Sequence, residues 1–259
     1  MTNIKEVARQ AGVSASTVSR VLNAKSYVNE ATRQKVLQAV QQTGYRPNVL
    51  AKSLKSGRSN TICLMVPSMQ NPIFPEMARG VEDVARRSGF TVVLCNTNED
   101  DTVEKAYIDK MKTQWIDGFV VCSSMGRADH IRALRGEGFP LVLVNRFEER
   151  DVNRLDIVAV DNFKAAYDAV QYLIGAGHRR IALASGREEL YFYRERFRGY
   201  CRALEDAGIP LDDALVLRET SGVESFDRLT REVMALPDPP TAVFAAGGKG
   251  FRAVSSCST

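Results

Sequence analysis

The residue types grouped most tightly in this 259-residue chain are those of Ala15-Ser16-Thr17-Val18-Ser19-Arg20-Val21-Leu22-Asn23. Val18, Val21 and Leu22 recur at i, i+3, i+4, so on a helix they turn one way while Ala15, Ser16, Ser19, Arg20 and Asn23 turn elsewhere. That second face is small, polar and partly cationic. Its chemistry is recognition rather than bond making: an arginine can bond guanine O6 and N7 in the DNA major groove, and an alanine can touch a thymine methyl. A helical hairpin with a merely solvated polar side is the alternative reading of the same pattern. Groups for catalysis are sparse. His130 and His178 are the only histidines, and the cysteines at 63, 95, 122, 201 and 257 include no C-x-x-C pair. These residues argue against a histidine-based metal or catalytic site and call for no cofactor.

Helices must position that face. Ile4, Val7, Ala8 and Ala11 fall at i, i+3, i+4, i+7 and predict a first helix, with Asn3 as its cap and Glu6 completing a capping box. Gly12 suits the left-handed residue that closes it, and the Ser14 hydroxyl can cap the next helix. The whole reads as a helix-turn-helix over about residues 4–23. A third helix is expected from Ala31 to Gln42, capped by Asn29, with Val36, Leu37 and Val40 inward. Gly44-Tyr45-Arg46-Pro47 breaks the helical pattern, after which Asn48 can cap a short helix, Val49 to Ser56, closed by Gly57. Two turns are too few to be stable in water alone. Leu50 and Leu54 stack at i, i+4 with Ala51 beside them and Lys52 and Lys55 on the flanks, so a second copy of the ridge can pair with it while a leucine presses into the minor groove and the lysines meet phosphates.

Charge separates this head from the rest. The first sixty residues hold ten lysines and arginines against Glu6 and Glu30, a net +8, which leaves −4 for the remainder of a chain whose total is +4. A basic head on an acidic body points to a polyanion as the head's partner. The start of the sequence lacks the apolar core of a signal peptide and no later run is long enough to span a bilayer, so a cytoplasmic, nucleoid-associated protein is expected, without a membrane partner.

From residue 60 onward apolar strands alternate with amphipathic helices. Strands are expected at 61–66, 91–95, 118–122, 141–145 and 157–160, with helices at 74–88, 103–113 and 129–137 between them, followed by a second series from residue 161. In that series helices are expected at 163–174, 194–207 and 225–235, and strands at 181–185 and 241–245. Such alternation means doubly wound parallel sheets in two lobes, 60–160 and 161–259, behind a head of residues 1–59. Ligands of such sheets sit at the carboxyl ends of strands, between lobes. The candidates are therefore Asn71, Ile73 and Phe74 after the first strand, Asn145 and Arg146 after the fourth, Asp161 at the crossover, and Tyr191 to Arg196 in the second lobe. Ordinary core burial is the competing reading for the aromatics among them.

The motifs Ile4-Lys5-Glu6-Val7-Ala8, Ala11-Gly12-Val13-Ser14, Thr17 to Asn23, Gly44-Tyr45-Arg46-Pro47-Asn48 and Ala51-Lys52-Ser53-Leu54 closely resemble the lactose-repressor/galactose-repressor (LacI/GalR) family. Asn71-Pro72 with Phe74, Asp117-Gly118, Asn145-Arg146, Val160-Asp161-Asn162, Gly177-His178 and Arg196 to Tyr200 look like the family's effector-binding core, similar to periplasmic sugar-binding proteins. The resemblance implies an all-α helix-turn-helix head and an α/β two-lobed body. It implies that Ala15, Ser16 and Arg20 read bases, that Thr17 and Asn23 contact the DNA backbone, and that Leu54 is the minor-groove wedge of a hinge helix that includes Asn48, Ala51 and Lys55. It makes Arg196 the polar anchor of an effector, with Phe74 and Phe192 as flat walls.

After Ala246 the likeness stops, and Gly247-Gly248-Lys249-Gly250 lacks the G-x-x-x-x-G-K-[ST] spacing of a phosphate loop. The expectation is a truncated or frame-altered member with an incomplete second lobe. The function expected is a sequence-specific transcriptional regulator, a repressor, that binds a palindromic operator as a homodimer under control of a small effector such as a sugar or nucleoside. An α/β enzyme with an added head would need a nucleophile, base or metal carboxylates at strand ends, where only scattered Asp and Arg occur. A plain binding protein of periplasmic type would need an export signal and no head.

Overall fold

The computed structural model describes residues 3–23, 28–45, 57–114, 116–123, 129–218 and 223–247. The chain divides into two compact units, Met1–Ser59 and Asn60–Thr259.

The first unit contains three described helices, α1 (Ile4–Ala11), α2 (Ala15–Asn23) and α3 (Glu30–Thr43). Their ends are set locally. The Asn3 side chain accepts from the Glu6 amide at 3.1 Å, and Gly12 closes α1 at φ 66°, where a side chain would be strained. The reciprocal half of the expected capping box is replaced by an ion pair of Glu6 with Arg9 at 3.5 Å. Ser14 Oγ accepts from the Thr17 amide at 3.2 Å, and Asn29 accepts from the Ala31 amide at 2.9 Å. Val7, Val18 and Val36 are fully buried where the three helices meet. Leu37, expected inward, is 42% exposed, and Ala39 takes the buried position instead. The small side chain suits the face of α3 that lies against α1, where Gln10 and Gln42 are hydrogen-bonded at 2.7 Å. The expected hinge helix, with Asn48, Ala51, Leu54 and Lys55, lies outside the described residues.

The second unit holds two parallel sheets. The first has the order β2-β1-β3-β4-β5, from β1 (Thr61–Val66), β2 (Thr91–Asn96), β3 (Gly118–Val121), β4 (Leu141–Val144) and β5 (Asp156–Val158). Its helices are α4 (Ile73–Arg87), α5 (Asp101–Thr113) and α6 (Asp129–Gly136). The central strand β1 is buried on both faces: Cys63 and Met65 join one core, Leu64 and Val66 the other. This is why it reads as an unbroken apolar run rather than an alternating one. The fifth strand is shorter than expected, and Val158 and Val160 are 61% and 59% exposed at this sheet edge. The second sheet has the order β7-β6-β8, from β6 (Ile181–Ser185), β7 (Val216–Arg218) and β8 (Ala242–Ala245). Helices α7 (Asn162–Gly175), α8 (Tyr191–Asp206) and α9 (Val223–Met234) accompany it.

Two differences from the sequence reading matter. Helix α8 begins at Tyr191 rather than Arg194, so Tyr191, Phe192 and Tyr193 form its first turn instead of a loop. Burial of Phe192 and the close fit of Tyr193 against Gly186 and Gly247 outweigh the modest helix propensity of aromatic residues. Strand β7 has three residues, too few to show a period, and owes its place to pairing with β6. Residues 248–259, most of the tail that prompted the expectation of a truncated chain, lie outside the described residues.

Candidate functional site

Among the described residues, two places gather polar side chains that the sequence reading assigned to binding. The first is the outer face of α2. With Val18 and Val21 inside the head, Ser16 and Arg20 are exposed, while Ala15 and Thr17 are half-buried. Ser14 Oγ lies 2.7 Å from Ser16 Oγ and 2.9 Å from Thr17 Oγ1, which gathers three hydroxyls at the first turn of α2. A helix N-terminus also exposes backbone N–H groups, so this end suits an anion. Of the residues expected to meet DNA, Ala15, Ser16, Thr17 and Arg20 thus share one end and side of one helix. Asn23 ends the same helix.

The second place lies between the two sheets of the body, at the carboxyl ends of their strands. The first sheet contributes Arg146, just after β4, whose side chain is 11% exposed. Its guanidinium donates to Glu99 at 3.1 Å and to the Ser123 carbonyl at 3.4 Å. The second sheet contributes Phe192 and Arg196 from the first turns of α8. Phe192 receives both guanidinium groups, Arg146 at 5.5 Å and Arg196 at 5.2 Å from its ring centroid, and Arg146 also lies 5.8 Å from the Phe74 ring. Each such contact contributes about 0.5–1 kcal/mol at exposed sites and more when water is excluded. Phe147, after β4, meets Tyr191 at 5.0 Å between ring centroids, a second contact from one sheet's loops to the other's.

Arg196 is held by neutral groups. Its Nε donates to Asn162 Oδ1 at 2.8 Å, and its Nη1 donates to the Ala246 carbonyl at the end of β8. Burial, with Arg146 nearby, lowers its pKa from the ordinary guanidinium range. Two hydrogen bonds to neutral acceptors return about 1–3 kcal/mol, whereas desolvating an ion costs several.

Of the expected cleft residues, the structure gathers Phe74, Arg146, Phe192 and Arg196. Phe74 is in the core, 2% exposed beside Leu64, Val66 and Cys122, so the burial alternative describes most of its ring. Asn71, Ile73 and Asp161 have local places instead. Asn71 Oδ1 accepts from the Ile73 amide at 3.3 Å, Ile73 is 46% exposed, and Asp161 caps α7 by accepting from the Lys164 amide at 2.9 Å. Asn145 adopts φ 64° at the end of β4, and its amide donates to the Val158 carbonyl at 2.8 Å.

Sequence reading missed the groups that support these side chains. Glu99 holds Arg146, and Asn162 holds Arg196; the latter stood in the Val160-Asp161-Asn162 motif, but nothing local says that it reaches α8. It also missed a buried polar cluster at the end of β3. Glu104 is fully buried, and its Oε1 lies 2.7 Å from His130 Nε2 and accepts from Ser123 Oγ at 3.2 Å. The Glu104 hydrogen bond raises the His130 pKa, against the opposing effect of burial. The serine hydroxyl thus donates to the buried carboxylate. Among the described residues no group of three or more His, Cys, Asp or Glu is placed to hold a metal ion.

A helix-turn-helix head followed by a two-sheet α/β body with arginines and aromatic rings gathered at its strand ends fits one class: DNA-binding regulators with a small-molecule-binding body. Residues 3–48 match the model of the bacterial regulatory proteins, lacI family, and residues 59–249 that of the periplasmic binding proteins and sugar binding domain of the LacI family. The chain belongs to the LacI family of transcriptional regulators, which are not enzymes. It is 35% identical over 246 residues to the catabolite control protein A of Priestia megaterium, covering 93% of this chain and 72% of that protein. It is also 35% identical over 241 residues to the transcriptional repressor CytR of Escherichia coli K12, covering 93% and 70%. Among solved structures, the lac repressor dimer bound to operator and the anti-inducer ONPF matches with TM-score 0.82 at 23% identity, over 99% of this chain and 78% of that one, a likeness of fold. The complex of the transcriptional regulator CelR with cellobiose matches with TM-score 0.67 at 29% identity, over 99% and 79%. No helix among the described residues is long and apolar enough to cross a membrane.

Proposed function

We propose that this regulator represses transcription by binding a palindromic operator as a homodimer, and that a small molecule in the body's cleft controls it. Ala15, Ser16 and Arg20 read base edges in the major groove while Thr17 and Asn23 contact the backbone. Asn48, Ala51, Leu54 and Lys55 belong to a hinge helix, with Leu54 in the minor groove and Lys55 at phosphates. The effector lies among Asn71, Ile73, Phe74, Asn145, Arg146, Asp161, Phe192 and Arg196, between subdomains 60–160 and 161–259. The protein acts in the cytoplasm, at the nucleoid.

The observation that carries the DNA reading is the exposed Ser16 and Arg20 on a helix whose valines are buried, in a segment of net charge +8. A second copy is supported by the edge of the first sheet. Leu94 on the edge strand β2 is 42% exposed and Val84 on α4 is 58% exposed, apolar surface that a partner would cover. The cleft reading is supported by the convergence of Arg146, Phe192 and Arg196, and by the likeness to CelR, a regulator that forms a complex with the small sugar cellobiose. The effector favours one arrangement of the lobes and DNA favours one too, so each changes the other's affinity by the same factor. Selection of bound duplexes from a random pool tests the reading. An enriched palindrome is the expected result, and a bound pool with no common sequence would refute it.

A further inference from the structure

We propose that Cys63, Met65 and Cys95 form a site for a soft monovalent metal ion, copper(I), between the first two strands of the body. Cys63 and Met65 stand two residues apart on β1 in one buried core, and Met65 is registered directly opposite Cys95 on β2. Three sulfur side chains therefore share one face of two neighbouring strands. The Cys63 thiol donates to Cys95 Sγ at 3.8 Å. Two sulfurs about 2.3 Å from one metal ion, at trigonal or tetrahedral angles, stand about 3.8–4.0 Å apart, so the pair already has the separation of two ligands.

A disulfide is the other chemistry open to two thiols, and the register opposes it. Cys63 is aligned with Val93, which sets Cys95 one pleat further along β2. With strands about 4.8 Å apart and a rise of about 3.3 Å per residue, such a diagonal puts the Cα atoms about 8 Å apart, beyond the roughly 7 Å that a disulfide spans. A metal ion between the sulfurs bridges that gap without drawing the strands together.

The ligand set chooses the ion. Around the sulfurs the same core contributes Val93, Ile108 and Met111, hydrocarbon and a further thioether rather than carboxylates or imidazoles. Thiolate and thioether donors select copper(I), whereas zinc in structural sites takes four nitrogen, oxygen or sulfur ligands. Binding releases both thiol protons to solvent and leaves a complex with a single negative charge. Lys110 on α5 is near enough for its own charge to act on Cys95 and offset it. Cys63 is fully buried and Cys95 is 5% exposed, but β2 is the edge strand of its sheet, so local opening of one strand admits the ion. Thiols and thioethers that serve only as core hydrophobes would show no such affinity.

The test is titration of the reduced full chain with copper(I), in the absence of oxygen and against a chromophoric copper(I) chelator, followed by X-ray absorption at the copper edge. A single ion per chain is expected, with sulfur neighbours only. Cys63→Ala and Cys95→Ala should each weaken binding by more than the roughly 100-fold that loss of a supporting group costs. Met65→Leu, which conserves volume, should weaken it about tenfold and reduce the sulfur coordination. This variant keeps the core filled and decides the assignment even if a cysteine variant folds poorly. Cys201→Ser combined with Cys257→Ser should bind as the parent does. No competition of the parent protein with the chelator, nitrogen or oxygen neighbours, binding lost in the Cys201 and Cys257 double variant, or affinity unchanged in Met65→Leu would each overturn the inference.

Discussion

Replacing His130 by alanine isolates the most deeply buried charge identified in the body. Glu104 is fully buried, and its Oε1 is shared by His130 Nε2 at 2.7 Å and Ser123 Oγ at 3.2 Å. Removing one partner of a buried ion pair costs about 3–5 kcal/mol. The His130 side chain is 18% exposed and Ser123 remains, so the lower end, about 3 kcal/mol, applies. At about 2–4 °C per kcal/mol for a body of this size, the variant should melt roughly 6–12 °C lower. The pH dependence carries the sign. The hydrogen bond and charge of Glu104, and the charge of Asp101, raise the His130 pKa, while burial and Lys105 oppose them. A group with a raised folded-state pKa contributes its full stability below its unfolded value, about 6.5 for imidazole, and loses it as pH rises through the folded one. The gap between parent and variant should therefore be widest near pH 6 and narrow at alkaline pH. The assay is the melting temperature of the body's transition from about pH 5.5 to pH 9 at fixed ionic strength. Parallel curves for the two proteins would refute the reasoning, and Glu104→Gln should lose the same pH dependence.

Gly199→Ala should destabilise the body by about 3 kcal/mol in urea unfolding; a Cβ there would come within 2.3 Å of the Phe163 carbonyl oxygen, where only movement of α8 away from α7 relieves the clash. Val84→Asp combined with Leu94→Asp should turn a dimer into a monomer on size exclusion while leaving the melting of the body within about 1 kcal/mol, because both side chains are exposed; an unchanged dimer would remove this edge as the interface. Arg20→Ala should relax base preference at one operator position by about 1–3 kcal/mol, whereas Lys55→Ala should weaken binding to all duplexes and lower the salt slope by about one, both read from binding isotherms across salt.

The elements of the head and the first sheet were legible in the sequence because their causes are local. Asn3, Ser14 and Asn29 accept from amides within three residues, Gly12 donates its own N–H back to the Ala8 and Arg9 carbonyls, and the i, i+3, i+4 spacing of Val18, Val21 and Leu22 sets which face of α2 turns in. Strand β1 announced itself as an apolar run with the residues the fold uses, Thr61–Val66. Leu37 escaped because neighbouring positions on a helix differ by only 100°, and the closeness of α1 and α3 decides that Ala39 is buried instead. Strand β7 and the first turn of α8 likewise depend on partners distant in sequence, β6 for one and Gly186 and Gly247 for the other. The cleft shows the same division. Strand-end placement pointed to Arg146 and to the stretch Tyr191 to Arg196, and the family resemblance singled out Arg196 within it. That one is paired by Glu99 while the other is left with Asn162, a carbonyl and a like charge is a matter of three-dimensional neighbours, and only the tertiary structure brings those together.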